Sequence, residues 1–419
     1  MMRDLDREGQ EPEPYTLALE RMQAALEPVG KERIAIEDAG GRIAARDLVA
    51  PFQIPSCPVA TRSGFAVRAA ESERPGLHRL HELRLRDAEN PGSRALGPGE
   101  AVAVSAGEPL PEGANAVLPG DRATLRGDRL LVATAIQRGF GVLFPGDDLR
   151  DGTPVVVQGR PLTPPQLGLL SATGLSHIEV IKIPRVGLIS IEPNTRSGAS
   201  NGSSGNGASG LGASNAVVLG AWCSRFGLSV SRWAVSDDST AIAETVDAAA
   251  ASCDALVTSG SLELVDETLD EMDRELVITN INLRPGHRTR FGHVAGVPVF
   301  QLPASPVANE TAFLLLALPG LLTLAGTTDP PFAAVPARLT RDLRRSRRQK
   351  RWTQVVRVQL SPGTFFLQAV PLAGRAIRER QGRLASLAAA DGIVLLDEGE
   401  IGPRAGDIVG VILLGNSWV

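Results

Sequence analysis

The alternation of apolar and polar residues changes rhythm several times along this chain, and each change marks a different kind of element. Near the N-terminus Leu17, Leu19, Met22, Ala25 and Leu26 follow a helical stripe that Pro28 and Gly30 end. Residues 34–50 read as a further short helix or turn. From 51 to about 140 the apolar runs shorten to pieces such as Ala101-Val-Ala-Val104 and Arg129-Leu-Leu-Val132, separated by Gly- and Pro-rich turns, the texture of a small antiparallel β-domain. A strand at 149–157 and a helix at 163–175, with Pro164 and Pro165 in its first turn, follow. Next come three apolar runs, 185–190, 255–257 and 297–303, interleaved with helical segments at 214–226, 239–252 and 308–318. Strands alternating with helices predict a parallel sheet covered on both faces. Beyond Pro330-Pro331 short strands return at 354–360, 394–396 and 409–414; the first alternates so as to keep one polar face.

The fold class expected is therefore multidomain, α/β plus all-β, with a central parallel α/β domain, a β insertion domain and a C-terminal β-barrel. The boundaries read as 1–48 with 142–182 for a helical and linking domain and 49–141 for the insertion. The α/β domain spans 183–328 and the barrel 333–419. Residues 197–214 are almost wholly Gly, Ser, Asn and Ala, a composition unable to bury a core, and are expected to form a solvated loop. The apolar stretch 313–324 is interrupted by Pro319 and Gly320, so no run is expected to span a membrane.

Chemistry gathers after the central apolar run. Asp254-Ala-Leu-Val-Thr-Ser-Gly-Ser261 ends in small hydroxyl residues and glycine, which let a ligand approach the backbone, and in a parallel sheet ligands bind at the carboxyl ends of the strands. Composition narrows the partners. A formal charge of −4 gives no reason to expect nucleic acid or an anionic membrane, and the basic run at 338–351 reads as a charged strand edge exposed to solvent. Cys57, Cys223 and Cys253 are far apart and odd in number, so neither a zinc site nor a disulfide framework is indicated. His78 and His81 read as an exposed pair, and no metal site is assigned. The charged N-terminus lacks an apolar signal core, which points to the cytoplasm.

Several segments, taken in order, resemble one family. PFQIPSCPVATRSGFAV (51–67), SAGEPLPEGANAVL (105–118), Gly146-Asp-Asp-Leu149, the run 253–261, Leu283-Arg-Pro-Gly-His287, Leu302-Pro-Ala-Ser-Pro-Val307 and SLAAADGIVLL (386–396) are together similar to the molybdopterin molybdenumtransferases. These enzymes insert molybdate into molybdopterin during molybdenum-cofactor synthesis. The resemblance covers essentially the whole chain and implies molybdopterin or adenylylated molybdopterin as ligand, molybdate as the second reactant, and Mg2+ as the metal. It also implies a homodimer and partner proteins of the same pathway.

By that resemblance the ligand-binding candidates are Ser190, Asn215, Ser259, Gly260, Ser261, Arg284, Pro285, Gly286, His287, Arg288, Pro303, Ser305 and Pro306. The departures follow a chemical pattern, in which turn-forming Gly and Pro remain while acids, amides and lysines are replaced. Pro58 and Ser63 stand where the family has aspartates, Ala106 where it has Thr, and Ala213 where it has Asp. Its S-G-G-V-S is Ser259-Gly-Ser-Leu-Glu263, and its K-P-G-K-P is Arg284-Pro-Gly-His-Arg288. Arginine can still bind an anion bidentately, and the backbone after Ser259 can still meet a phosphate at a helix N-terminus. The metal and the proton chemistry lose their usual carboxylates. Asp148 survives from the family pattern, and Asp266, Glu267 and Asp270 could substitute for the lost acids, although the i,i+4 spacing of Asp266 and Asp270 more often means a solvated helix face. The expectation is lost or weakened catalysis with anion and pterin binding retained; the alternatives are an enzyme using altered residues and a non-catalytic scaffold.

Overall fold

A computed structural model describes residues 12–71, 81–86, 95–132, 135–192, 210–327, 329–343, 345, 349–372 and 384–415. The predicted loop 197–209 and His78 lie outside them, and of His81 only the backbone is described. The chain divides into two compact units, Met1–Glu32 with Val180–Val419, and Arg33–Glu179.

Within 33–179 a six-stranded sheet runs in the order Ala116–Pro119, Gly64–Val67, Glu100–Val104, His81–Arg86, Arg129–Val132, Ala123–Arg126. The pairing is antiparallel except between His81–Arg86 and Glu100–Val104, so the expectation of a purely antiparallel domain is corrected there. Gly64 allows the tight approach of its neighbour strand: a Cβ there would sit 2.2 Å from the Leu118 carbonyl oxygen. The helix Pro164–Ala172 opens with its two prolines as expected, and the Thr163 N–H donates to Gln166 Oε1 at 2.9 Å.

The other unit is built on a second six-stranded sheet. Its strands are β1 (Arg185–Glu192), β2 (Ser229–Ser236), β3 (Ala255–Gly260), β4 (Glu275–Ile278), β5 (Arg290–Val294) and β6 (Val297–Pro303), in the order β2-β1-β3-β6-β5-β4. The first four are mutually parallel, β5 runs antiparallel to β6, and β4 runs antiparallel to β5. Continuous apolar sequence in β1 is explained by burial of both faces. Val186 and Leu188 enter one core with Phe300 and Phe313, whereas Ile189 and Ile191 enter another with Ile242, Val265 and Val299. Helix α1 (Gly210–Arg225) starts within the stretch expected to be loop, so residues 210–214 are helical despite their poor intrinsic propensity. Helices α2 (Ser239–Ala250) and α3 (Leu262–Glu271) supply the second core.

After β6 a single helix, α4, runs from Pro306 to Leu324 through a π-helical turn at Phe313–Ala317. Pro319 and Gly320 do not interrupt it, contrary to the sequence reading. Pro319 has no N–H to offer the carbonyl four residues back, Leu315 O, and that carbonyl instead accepts from the Tyr15 hydroxyl at 2.9 Å. Gly320 is needed for contact, since a Cβ would lie 2.5 Å from Met22 Sδ and 2.6 Å from Phe300 Cζ. The helix is long and apolar enough to cross a membrane, but 83% of it is buried inside the protein, the mark of a core helix. Residues 15–26 thus belong to this core and not with 142–182. Tyr15→Phe should cost about 1–3 kcal/mol, the scale of an unsatisfied buried polar group, as a lower urea midpoint at unchanged m. A loss well under that range would mean the Leu315 carbonyl is satisfied some other way.

The C-terminal part is a closed five-stranded barrel of Ala334–Leu339, Thr353–Ser361, Leu367–Pro371, Gly392–Leu396 and Ile408–Leu413. A two-residue strand from the α/β part, Leu283–Arg284, adds to it in parallel, pairing Leu283 with Thr353 and Arg284 with Gln354. Two charged residues expected on polar faces are buried. Arg357 hydrogen-bonds Thr311 Oγ1 at 3.1 Å and pairs with Glu310 of α4 at 2.9 Å. Arg345, from the basic run, donates to the carbonyls of Trp352, Leu396 and Glu400 at 2.8, 3.1 and 2.9 Å. Five donors on one guanidinium can close a ring of strand-end carbonyls that a neutral side chain could not, so this part of the run is structural and not a solvated edge.

A candidate anion-binding site at the strand ends

Register brings the small residues of the sequence together. Ser190 of β1 pairs with Ser259 of β3, Ser259 with Leu302, and Gly260 with Pro303 of β6. Ser190 and Ser259 are both buried. The Ser259 hydroxyl accepts from Asn215 Nδ2 of α1 at 3.2 Å and from Asn309 Nδ2 of α4 at 2.9 Å. The same two amides also donate to Ala304 O and Pro303 O at 3.0 and 2.9 Å. Two helices and the loop after β6 are therefore fixed around one hydroxyl. Gly260 has φ +150°, and a Cβ there would come within 2.7 Å of Ile191 O, so only glycine fits between the strands.

Two helices begin at this edge. Ser261 precedes α3 and Ser305 precedes α4, and neither uses its hydroxyl to cap the helix. Pro306 occupies the first turn of α4, where a missing N–H costs nothing. Glu263, in the first turn of α3, is bonded by Arg288. Its own backbone N–H and then that guanidinium hold its carboxyl below the usual range.

The segment Leu283–Thr289 contributes the cations. Its turn contains the cis peptide Arg284–Pro285 and Gly286 at φ +119°, and Gly286 lies against α4, with Ala308 O and the Ala312 methyl within 4 Å of where a Cβ would stand. Arg284 is exposed and lays its guanidinium 3.8 Å over the Trp352 ring. His287 meets the same indole edge-on, with centroids 5.9 Å apart. Burial, then Arg284 and Arg288, push the His287 imidazole below its ordinary value and favour its neutral form.

Three of the carboxylates considered for catalysis are placed differently. Asp266 is buried and not on a solvated face: Arg274 Nη1 bonds it at 2.8 Å, and Arg290 binds its other oxygen. Asp270 receives Arg274 Nη2 at 2.7 Å. Both therefore serve to tie α3 to the sheet, with Gln301 of β6 as a further partner of Arg274. Asp148 is exposed in the 33–179 unit, where its N–H donates to Ile54 O. Among the described residues no group of three or more His, Cys, Asp and Glu side chains is placed to hold a metal ion.

Three residues of this site were not read from the sequence: Asn309, Glu263 and Trp352. Asn309 carried a signal, as a lone amide in an apolar helical run. Trp352 carried only its rarity in a chain with 4% aromatics.

The sequence pattern of the MoeA N-terminal region (domain I and II) matches residues 14–174. Beyond that region, molybdopterin molybdenumtransferase of Staphylococcus aureus (strain COL) is 24% identical, covering 97% of this chain and 96% of its own length. Molybdopterin molybdenumtransferase 2 of Mycobacterium tuberculosis is 26% identical, with 92% and 95% covered. A solved molybdopterin biosynthesis MoeA protein from Pyrococcus horikoshii superposes with a TM-score of 0.79 at 28% identity, over 97% of this chain and all of that one. Residues 14–174 carry the MoeA N-terminal region, and over nearly its whole length the chain is similar to MoeA proteins. The MoeA-like α/β sheet, β insertion and closed barrel accord with the fold expected from sequence.

Proposed function

We propose that this MoeA-like protein acts in molybdenum-cofactor synthesis, as a homodimer, by binding molybdopterin or its adenylylated form at the strand ends, with molybdate insertion lost or weakened. The observation that carries the binding half is the Arg284 guanidinium stacked on Trp352 beside His287. Stacking holds the planar fork while leaving its donors outward, so little freedom is lost when a phosphate or oxyanion is bound bidentately. Burial and the two arginines hold the His287 imidazole below its ordinary value, and a bound anion would oppose that depression by favouring the protonated form, so affinity should rise as pH falls.

The loss of catalysis is supported by what the carboxylates do. Inserting molybdenum from the molybdate oxyanion needs protons delivered to departing oxygens and a host for any metal. Magnesium takes hard oxygen ligands, and Asp266 and Asp270 give theirs to Arg274 and Arg290. They do not fit such an ion as placed. Ser63, at a position the family fills with Asp, accepts the Ala106 N–H at 3.2 Å, a structural use of that side chain.

Purified protein should bind adenylylated molybdopterin yet form little cofactor when molybdate is added. Arg284→Glu should weaken that binding by about 1–3 kcal/mol, the scale of a charge-assisted hydrogen bond. Turnover equal to that of an active relative would overturn the loss of catalysis. Unchanged affinity in the Arg284 variant would overturn the binding role and favour a scaffold.

A further inference from the structure

The 33–179 unit has its own cleft, of about 490 Å³, which the strand-end site does not use. It is lined by the polar side chains of Arg33, Arg46, His177 and Glu179 and by the apolar ones of Leu48, Leu175 and Ile178. Arg46 and Glu179 are 3.8 Å apart with both side chains largely in water, a separation and exposure at which an ion pair is weak and exchangeable. The His177 ring nitrogen Nδ1 meets Ser176 Oγ at 3.1 Å. The Arg33 side chain is exposed and has no ion-pair or hydrogen-bond partner among the described residues.

Charge and shape together define what fits. Two guanidiniums face one carboxylate, so the cleft carries a net positive charge even with the imidazole neutral. Leu48, Leu175 and Ile178 in the same lining offer apolar surface that a bare inorganic ion would leave uncovered. The volume lies within the 300–1,000 Å³ typical of small-molecule sites. We propose that this cleft is a second ligand site, for an organic phosphate monoester whose apolar group rests on Leu48 and Leu175 while Arg33 and Arg46 hold the phosphate. Glu179 would then release Arg46 to the phosphate, which offers it a doubly charged acceptor in place of a single carboxylate at 3.8 Å.

Phenyl phosphate, inorganic phosphate and phenol are suitable probes, titrated calorimetrically into the full chain carrying Arg284→Ala, which weakens the strand-end site, with Arg33→Ala separating the cleft's share of the signal. Phenyl phosphate should bind at least tenfold more tightly than inorganic phosphate, and phenol should not bind measurably. Arg33→Ala added to that background should weaken phenyl phosphate about tenfold or more, the loss of one charge-assisted bond, and Glu179→Gln should strengthen it. Equal binding of phenyl and inorganic phosphate, or indifference to Arg33→Ala, would overturn the proposal. Because Arg33 lies outside the strand-end site, either result leaves the proposed function untouched.

Discussion

Replacing Glu310 by alanine should lower folding stability by about 3–5 kcal/mol, the usual cost of breaking a buried pair from one side. Glu310 and Arg357 are each 8% exposed, with their charges 2.9 Å apart, and the other Glu310 oxygen accepts from Trp222 Nε1 at 3.0 Å. Without the carboxylate, Arg357 keeps a charge in a site where burial already pushes its pKa down, and the indole N–H loses its acceptor. The pair joins α4 to the barrel, so the loss should appear in one cooperative urea transition followed by tryptophan emission. Replacing both partners together, Glu310→Leu with Arg357→Leu, should recover most of it, because no charge is then left buried. A Glu310→Ala cost below about 1 kcal/mol would mean that water reaches Arg357, as it does exposed pairs.

The second large effect is expected at Arg274, whose side chain is 1% exposed between Asp266 and Asp270. Arg274→Ala should cost about 3 kcal/mol, at the lower end for a broken buried pair, since Arg290 still faces Asp266 and Asp270 is about a third exposed. The distinguishing control is Arg274→Ala with Asp270→Asn. Removing the partly exposed acid should restore little, whereas Asp266→Asn should restore more, because Asp266 is the buried partner. Equal rescue by both would show that the strain comes from the void left by the guanidinium and not from stranded charge.

What the sequence disclosed, and what it hid, follows from how far apart the cooperating residues lie. Strands such as β1 were legible because burial on both faces writes an uninterrupted apolar run into the chain itself. Ser259 and Gly260 were singled out by the small residues that end the central apolar run and Asn215 through the family resemblance, and the structure brings Asn215 onto the Ser259 hydroxyl. Pro319 was misread as a stop because the hydroxyl that satisfies Leu315 O is 300 residues away. Asp266 and Asp270 looked solvated because acids four apart on a helix usually are; their partner Arg274 follows the helix end, and Arg290 sits on another strand. The cation rim shows the same limit: Arg284 was named, but nothing local in the sequence pointed to Trp352 as its platform.

That platform sets a timetable. Chains leave the ribosome N-terminus first, and domains fold as they emerge. All the strands of the parallel sheet, and α4 after them, are made before Trp352 exists. The two-residue ladder that holds Arg284 to Thr353 and Gln354 waits longer still, because the barrel closes only when Gly392–Leu396 and Ile408–Leu413 have been added. A nascent chain could thus own a finished sheet with its strand ends in register while its main cation still swings free. On the binding role proposed above, ligand capture would begin only with the last stretch of translation, making an occupied site the sign that the barrel has closed.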